Sequence, residues 1–147
     1  MDNEIYNNLL NNRLLNDNSE IEKYEHALEL LAETFSENDI VQLCSTLDDK
    51  THDTEVMFGT IHLLESLSSE LSFENTIAGV VNLYNTSPEW AKVIVYRCLN
   101  DDFSVKMIKK IISQLDSKIK KQFIEILEVI KTEDCERFGK SVDEILD

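Results

Sequence analysis

Apolar residues recur at steps of three and four along nearly the whole chain, the period of helices that bury one face. Ile5, Leu9 and Leu10 begin the pattern between Ile5 and Leu15, where several Asn weaken it. Ile21, Tyr24, Leu28 and Leu31 carry it from Ser19 to Thr34, and Ser19 with Glu22 three residues on reads as a capping box. Ser36 with Asp39 repeats that start signal ahead of Ile40, Leu43, Cys44 and Leu47. Asp53 or Thr54 opens a fourth helix running to about Leu67. Ser72 with Asn75 opens a fifth, carrying Ile77, Val80, Val81 and Tyr84. Ser87-Pro88 is an N-cap followed by Pro at the first helical position, where no amide hydrogen is needed. That sixth helix carries Ala91, Ile94, Val95, Cys98 and Leu99. A seventh runs from about Phe103 to Leu115, an eighth from Asp116 to Ile130, and a short helix from Val142 to Leu146 ends the pattern.

Start signals at 19, 36, 53, 72, 87, 102 and 116 fall every 14 to 19 residues, one helix of about three turns plus a short turn. Short connections make neighbours antiparallel, so the units predicted are helical hairpins of roughly 33 to 36 residues. No strand-like alternation longer than four residues interrupts them. The expected fold is all-α, with about eight helices in a HEAT-like stack of hairpins or an irregular bundle. The stack is favoured because there is no long crossover and no single heptad register. At 147 residues the expectation is one domain spanning 1–147.

Composition narrows the chemistry. Three Gly and one Pro leave no Gly-rich phosphate loop and no Pro-rich linker. The longest apolar runs are four or five residues, far short of the roughly 20 that cross a bilayer. The start, Met1-Asp2-Asn3-Glu4, lacks the basic and apolar regions of a signal peptide, so a cytoplasmic location is expected. Cys44, Cys98 and Cys135 are odd in number and form no C-x-x-C, which speaks against a disulfide framework or a zinc site. Cys44 and Cys98 fall on apolar helix faces and read as small core residues.

Charge changes the picture most. Residues 1–91 hold 18 Asp and Glu against Arg13, Lys23 and Lys50, a net of −15. Residues 92–147 hold 11 acids and 11 bases and are balanced. Such a field attracts a basic partner and repels nucleic acid and anionic membrane. Solubility alone is the plainer reading, but a solubility device has no reason to stop at residue 91.

Two helices concentrate this charge. In the fourth, Val56, Met57, Thr60, Ile61, Leu63, Leu64 and Leu67 centre on one face, while Glu55, Phe58, His62 and Glu65 fall almost opposite. Phe58 either packs against a neighbouring hairpin or serves as an aromatic anchor among charges. In the second, Glu22, Glu25, Glu29 and Glu33 line a face with His26, and the like charges four residues apart repel. The turn before the fourth helix adds Asp48, Asp49 and Asp53, offset in part by Lys50.

Catalytic and metal templates are not met. His26, His52 and His62 form no H-x-x-x-H, and no His sits in the E-x-x-H spacing of di-iron bundles. Asp48, Asp53 and Glu55 lack both the Gly and the spacing of a calcium loop. No G-x-S-x-G, P-loop or G-x-G-x-x-G occurs. No catalytic residue, cofactor, metal or small-molecule substrate is therefore expected. Lys106, Lys109, Lys110, Lys118, Lys120 and Lys121 lack interleaved aromatics and read as solvated helix faces rather than a nucleic-acid patch.

The segment from Glu55 to Glu65, EVMFGTIHLLE, with Ser87-Pro-Glu-Trp-Ala91 and Arg97-Cys-Leu-Asn100, resembles the immunity protein 30 family of bacterial polymorphic and contact-dependent toxin systems. The resemblance spans most of the chain, and its matching positions are Glu55, His62, Glu65, Glu89, Trp90 and Arg97. It implies a helical, non-catalytic protein that neutralises a toxin domain. Joined to the charge, it leads to the expectation of a basic toxin, a nuclease, whose active site an acidic surface covers. Glu22, Glu25, Glu29, Asp48, Asp49 and Asp53 are expected to steer association, and Glu55, Phe58, His62 and Glu65 to recognise the partner locally. The alternative is a helical-repeat adaptor for a basic peptide or protein.

Overall fold

Aspartate carboxylates start most of the helices. In the computed structural model, which describes residues 1–147, the chain forms α1 (Asn3–Asn12), α2 (Asn18–Ala32), α3 (Ile40–Cys44), α4 (Thr54–Leu64), α5 (Glu70–Tyr84), α6 (Pro88–Leu99), α7 (Asp102–Ile111), α8 (Ser117–Glu133) and α9 (Cys135–Leu146). Single 3₁₀ turns precede α3 and follow α7, and there are no strands. Asp2, Asp17, Asp53, Asp101, Asp116 and Asp134 each accept a backbone N–H at an N-cap, at 2.9 to 3.3 Å. Each satisfies amides that the first turn leaves without a partner and places negative charge at the positive end of the helix.

Several predicted starts move for this reason. The start of α2 lies at Asn18 rather than at Ser19: Asp17 accepts from Glu20 N, and the Glu20 carboxylate accepts from Asn16 N at 2.8 Å. The start of α5 is Glu70, two residues before the predicted Ser72, because the Ser69 hydroxyl accepts from Ser72 N at 3.1 Å. Asn75 instead donates to the Glu37 carbonyl at 2.8 Å. The last helix is 12 residues long, not a short piece from Val142, since Asp134 caps it at Cys135. The Ser36–Asp39 capping box is present, but it opens a 3₁₀ turn that leads into the five-residue α3.

Two compact units divide the chain within α5, residues 1–79 and 80–147. In the first, α1 packs on α2, and both α2 and α3 pack on α4. Its core holds Leu9, Tyr24, Leu31, Ile40, Leu43, Cys44, Met57 and Ile61, each 1 % exposed or less. Leu15, in the turn between α1 and α2, has φ 53°, a left-handed conformation that costs a non-glycine residue of order 1 kcal/mol. Its side chain is 2 % exposed, and burial offsets the strain. In the second unit, α9 packs against α6, α7 and α8 around Ile108, Ile111, Phe123, Leu127, Ile130, Phe138 and Val142. Tyr96 and Phe138 stack at 4.8 Å between ring centroids, 5° from parallel.

Lys92 is the buried cation of this second unit, with its ammonium 3.2 Å from Glu89 and 3.3 Å from Glu133. Burial by itself lowers its pKa, but the hydrogen bonds and charges of Glu89 and Glu133 outweigh it and raise the value above the usual lysine range. A raised folded-state pKa means that the stabilisation is full below the unfolded value of 10.5 and is lost as pH climbs through the folded one. The stability advantage of the wild type over Lys92→Met is expected to be constant from neutral pH to about 10 and to shrink above it, as followed by urea unfolding across pH.

Gly79 in α5 sits against Cys44 of α3: a Cβ there would lie 2.7 Å from the cysteine Sγ and 3.5 Å from the Val41 Cα. Burial pushes the Cys44 thiol up to about 12, so it is an inert core group. Gly79→Ala is expected to destabilise by about 1–2 kcal/mol, since overpacking exceeds the helix-propensity gain. Cys44→Ala in the same chain removes the Sγ and is expected to recover part of that loss in urea titrations.

Candidate functional site

A buried hydroxyl chain fixes α2 against α4. Thr46 donates to the Leu43 carbonyl at 2.8 Å, which leaves its oxygen to accept from Tyr24 at 3.5 Å. Tyr24 also bonds Thr60 of α4, and the three hydroxyl groups lie wholly inside the protein. Burial raises the Tyr24 pKa, against the opposing hydrogen bonds of Thr46 and Thr60, so the phenol stays neutral. A second close approach lies one turn further along α2, where Leu28 would be 3.2 Å from a Cβ at Gly59.

These contacts set the orientation of the charged faces. On α2, Tyr24, Ala27 and Leu31 are buried, Ile21 and Leu28 half-buried, and Glu22, Glu25, His26, Glu29 and Glu33 exposed. On α4, Met57, Thr60, Ile61 and Leu64 are buried, while Val56, Leu63 and Leu67 of the predicted apolar face are only half-buried. Glu55, His62 and Glu65 are exposed. At 100° per residue, Glu25 lies about 60° from Leu28 around α2, and Glu55 and His62 about 40° and 60° from Gly59 around α4. The opposite flanks of both helices face the core. The rows carrying Glu25 and Glu29 and those carrying Glu55 and His62 therefore run along the two solvent-facing sides of the Leu28–Gly59 contact.

Phe58 answers to neither of its two sequence readings outright. It is half-buried, with its ring centroid 6.4 Å from that of His62 and the planes tilted by 39°. The aspartates of the preceding turn are tied into the fold. Asp48 pairs with Arg13 at 3.0 Å and accepts from Lys50 N at 2.8 Å, while Asp53 caps α4 through Val56 N at 3.1 Å. Their charge persists, but their positions serve α1 and α4, and Asp49 alone of the three is exposed. His52 N donates to the Leu14 carbonyl at 2.9 Å, holding this turn to the end of α1.

The remaining positions belong to the second unit. Trp90 is buried at 6 % exposure, Glu89 holds Lys92, and Arg97 is exposed. Lys106, Lys109, Lys110, Lys118 and Lys121 are exposed and Lys120 half-buried, as solvated faces require. Cys98 is half-buried and Cys135 exposed, so only Cys44 is the core cysteine expected of the apolar faces. No three His, Cys, Asp or Glu side chains gather to hold a metal ion, and no helix is long and apolar enough to cross a membrane. Sequence reasoning missed the Leu28–Gly59 approach. Its signal was there, because a glycine inside an otherwise apolar helix costs about 1 kcal/mol and marks a close contact.

The geometry defines an all-helical protein in which α2, α4 and their C-terminal ends carry exposed Glu22, Glu25, Glu29, Glu33, Glu55 and Glu65. The family profile of immunity protein 30 matches residues 11–108, about two thirds of the chain, and the chain belongs to that family. Comparison with curated proteins and with solved structures gives no match. Membership makes this an immunity protein, a class that has a toxin as its partner and is generally non-enzymatic.

Because Phe58 is half-buried, Phe58→Ala is expected to lower stability by less than the ~3–5 kcal/mol that truncating a fully buried Phe costs. Thermal and urea unfolding of the variant measure this.

Proposed function

We propose that this protein neutralises a cognate basic toxin domain, a nuclease, by laying the α2–α4 carboxylates across the toxin's active site. The observation that carries the reading is the charge of residues 1–79: 17 carboxylates against three cations, a net of −14, with Glu22, Glu25, Glu29, Glu55 and Glu65 exposed. A nuclease presents cations where it holds phosphates, and an acidic helical surface meets the same need. Such a complex forms where the toxin acts, in the cytoplasm. Steering falls to the whole acidic unit, Asp48, Asp49 and Asp53 included, and local recognition to Glu55, Phe58, His62 and Glu65.

Co-expression with the toxin domain encoded beside its gene is expected to restore growth to cells that the toxin alone arrests. With the purified pair, the on-rate is expected to fall at least tenfold between 0.01 M and 0.1 M salt, as the Debye length shrinks from ~30 Å to ~10 Å. Stopped-flow association reads this directly, and a flat response overturns the electrostatic mechanism. Reversal of Glu25 and Glu55 together, Glu25→Lys and Glu55→Lys, is expected to weaken binding by several kcal/mol through like-charge repulsion while leaving the thermal melt near wild type.

A further inference from the structure

Large apolar side chains that stay exposed are few, and in residues 1–79 they are Leu30, 40 % exposed, and Leu71, 47 % exposed. Leu71 lies in the first turn of α5 beside Glu70, outside the α2–α4 pair. Leu30 stands on α2 itself and is the one large apolar side chain among that helix's exposed residues. At 100° per residue, the buried Tyr24, Ala27 and Leu31 lie about 60° to 120° from it on one side. Exposed Glu22, Glu29 and the C-cap Glu33 lie about 60° to 100° from it on the other. Its neighbours one turn away are His26 and Glu33, both exposed. Leu30 therefore borders the carboxylate row, on the flank of α2 away from the Leu28–Gly59 contact.

A single exposed leucine needs no function. The setting of this one restricts what can cover it. Two copies of the chain meeting through Leu30 would bring Glu29 and Glu33 of each against the like charges of the other, which opposes association. A basic domain with an apolar hollow ringed by cations complements both the leucine and its neighbours. We propose that Leu30 is the apolar anchor by which this protein holds its toxin, filling a hollow whose rim of Lys and Arg faces Glu22, Glu29 and Glu33. The proposal rests on the acidic-face reading above. It adds the short-range contact that slows dissociation, whereas the long-range field acts mainly on the rate of encounter.

Association and dissociation rates with the toxin domain encoded beside the gene, measured across salt, separate the two. Leu30→Ala is expected to raise the dissociation rate about five- to tenfold, as loss of a partly exposed leucine contact implies. Its association rate, salt dependence and thermal melt are expected to stay near wild type. Leu30→Met keeps an apolar side chain of similar volume and is expected to dissociate within about twofold of wild type. Leu71→Ala is expected to change neither rate. In the wild-type complex, the Leu30 methyl protons are expected to cross-relax with toxin protons, a readout that needs no variant. A steep salt response with unchanged dissociation of Leu30→Ala, or no methyl contact, overturns the anchor and leaves the acidic face standing. A flat salt response overturns the acidic face and the cationic rim with it. A dimer of the chain alone in analytical ultracentrifugation, dissolved by Leu30→Ala, overturns the toxin as occupant in favour of a second copy.

Discussion

The close packing of α2 on α4 is the constraint on which the acidic face depends. Tyr24 brings a phenol into the core, where its hydroxyl would be costly without partners, and Thr46 and Thr60 supply them. Those bonds are directional, so they fix how far each helix is rotated as well as how near it lies. Hydrophobic contact alone would tolerate a rotation of either helix. Gly59 then removes the side chain that would hold the helices apart at Leu28. The exposed carboxylates inherit their positions from these buried groups, which themselves carry no charge.

Fifteen net negative charges repel one another in any compact state. The fold uses part of that charge where it stabilises. Six aspartates cap helix N-termini, and Asp48 holds Arg13. Glu22, Glu25, Glu29 and Glu55 cap no helix, Glu65 is the C-cap residue of α4, and all five are exposed. Capping does not withdraw a carboxylate from solvent, since Asp2, Asp17, Asp101, Asp116 and Asp134 are exposed as well.

Helical periodicity placed most elements because the apolar steps of three and four are local and long. It misplaced starts where two capping signals compete within a few residues, as at Asp17 against Ser19 and at Ser69 against Ser72. Either residue suits a cap, and only the path of the preceding chain selects one. At Leu15 that path includes a left-handed leucine, which no propensity predicts and burial alone sustains. In the same way, the faces bearing Glu55, Phe58, His62 and Glu65 were legible from angular spacing, but the half-burial of Phe58 was not.

The sequence by itself determined the all-helical class, the segregation of charge, the membership of the immunity protein 30 family and the residues available for an acidic surface. The helical class and the charge segregation follow from composition and from spacing within one helix, and the family membership from the profile match over residues 11–108. Tertiary structure decided which carboxylates became caps and ion pairs, which glycines mark close contacts, and that the Glu25 row adjoins the Glu55 row. Those outcomes depend on groups 30 or more residues apart in the chain, as with Tyr24 and Thr60 or Arg13 and Asp48, which meet only when the helices pack. Spacing along one helix carries no record of the angle at which another helix will cross it.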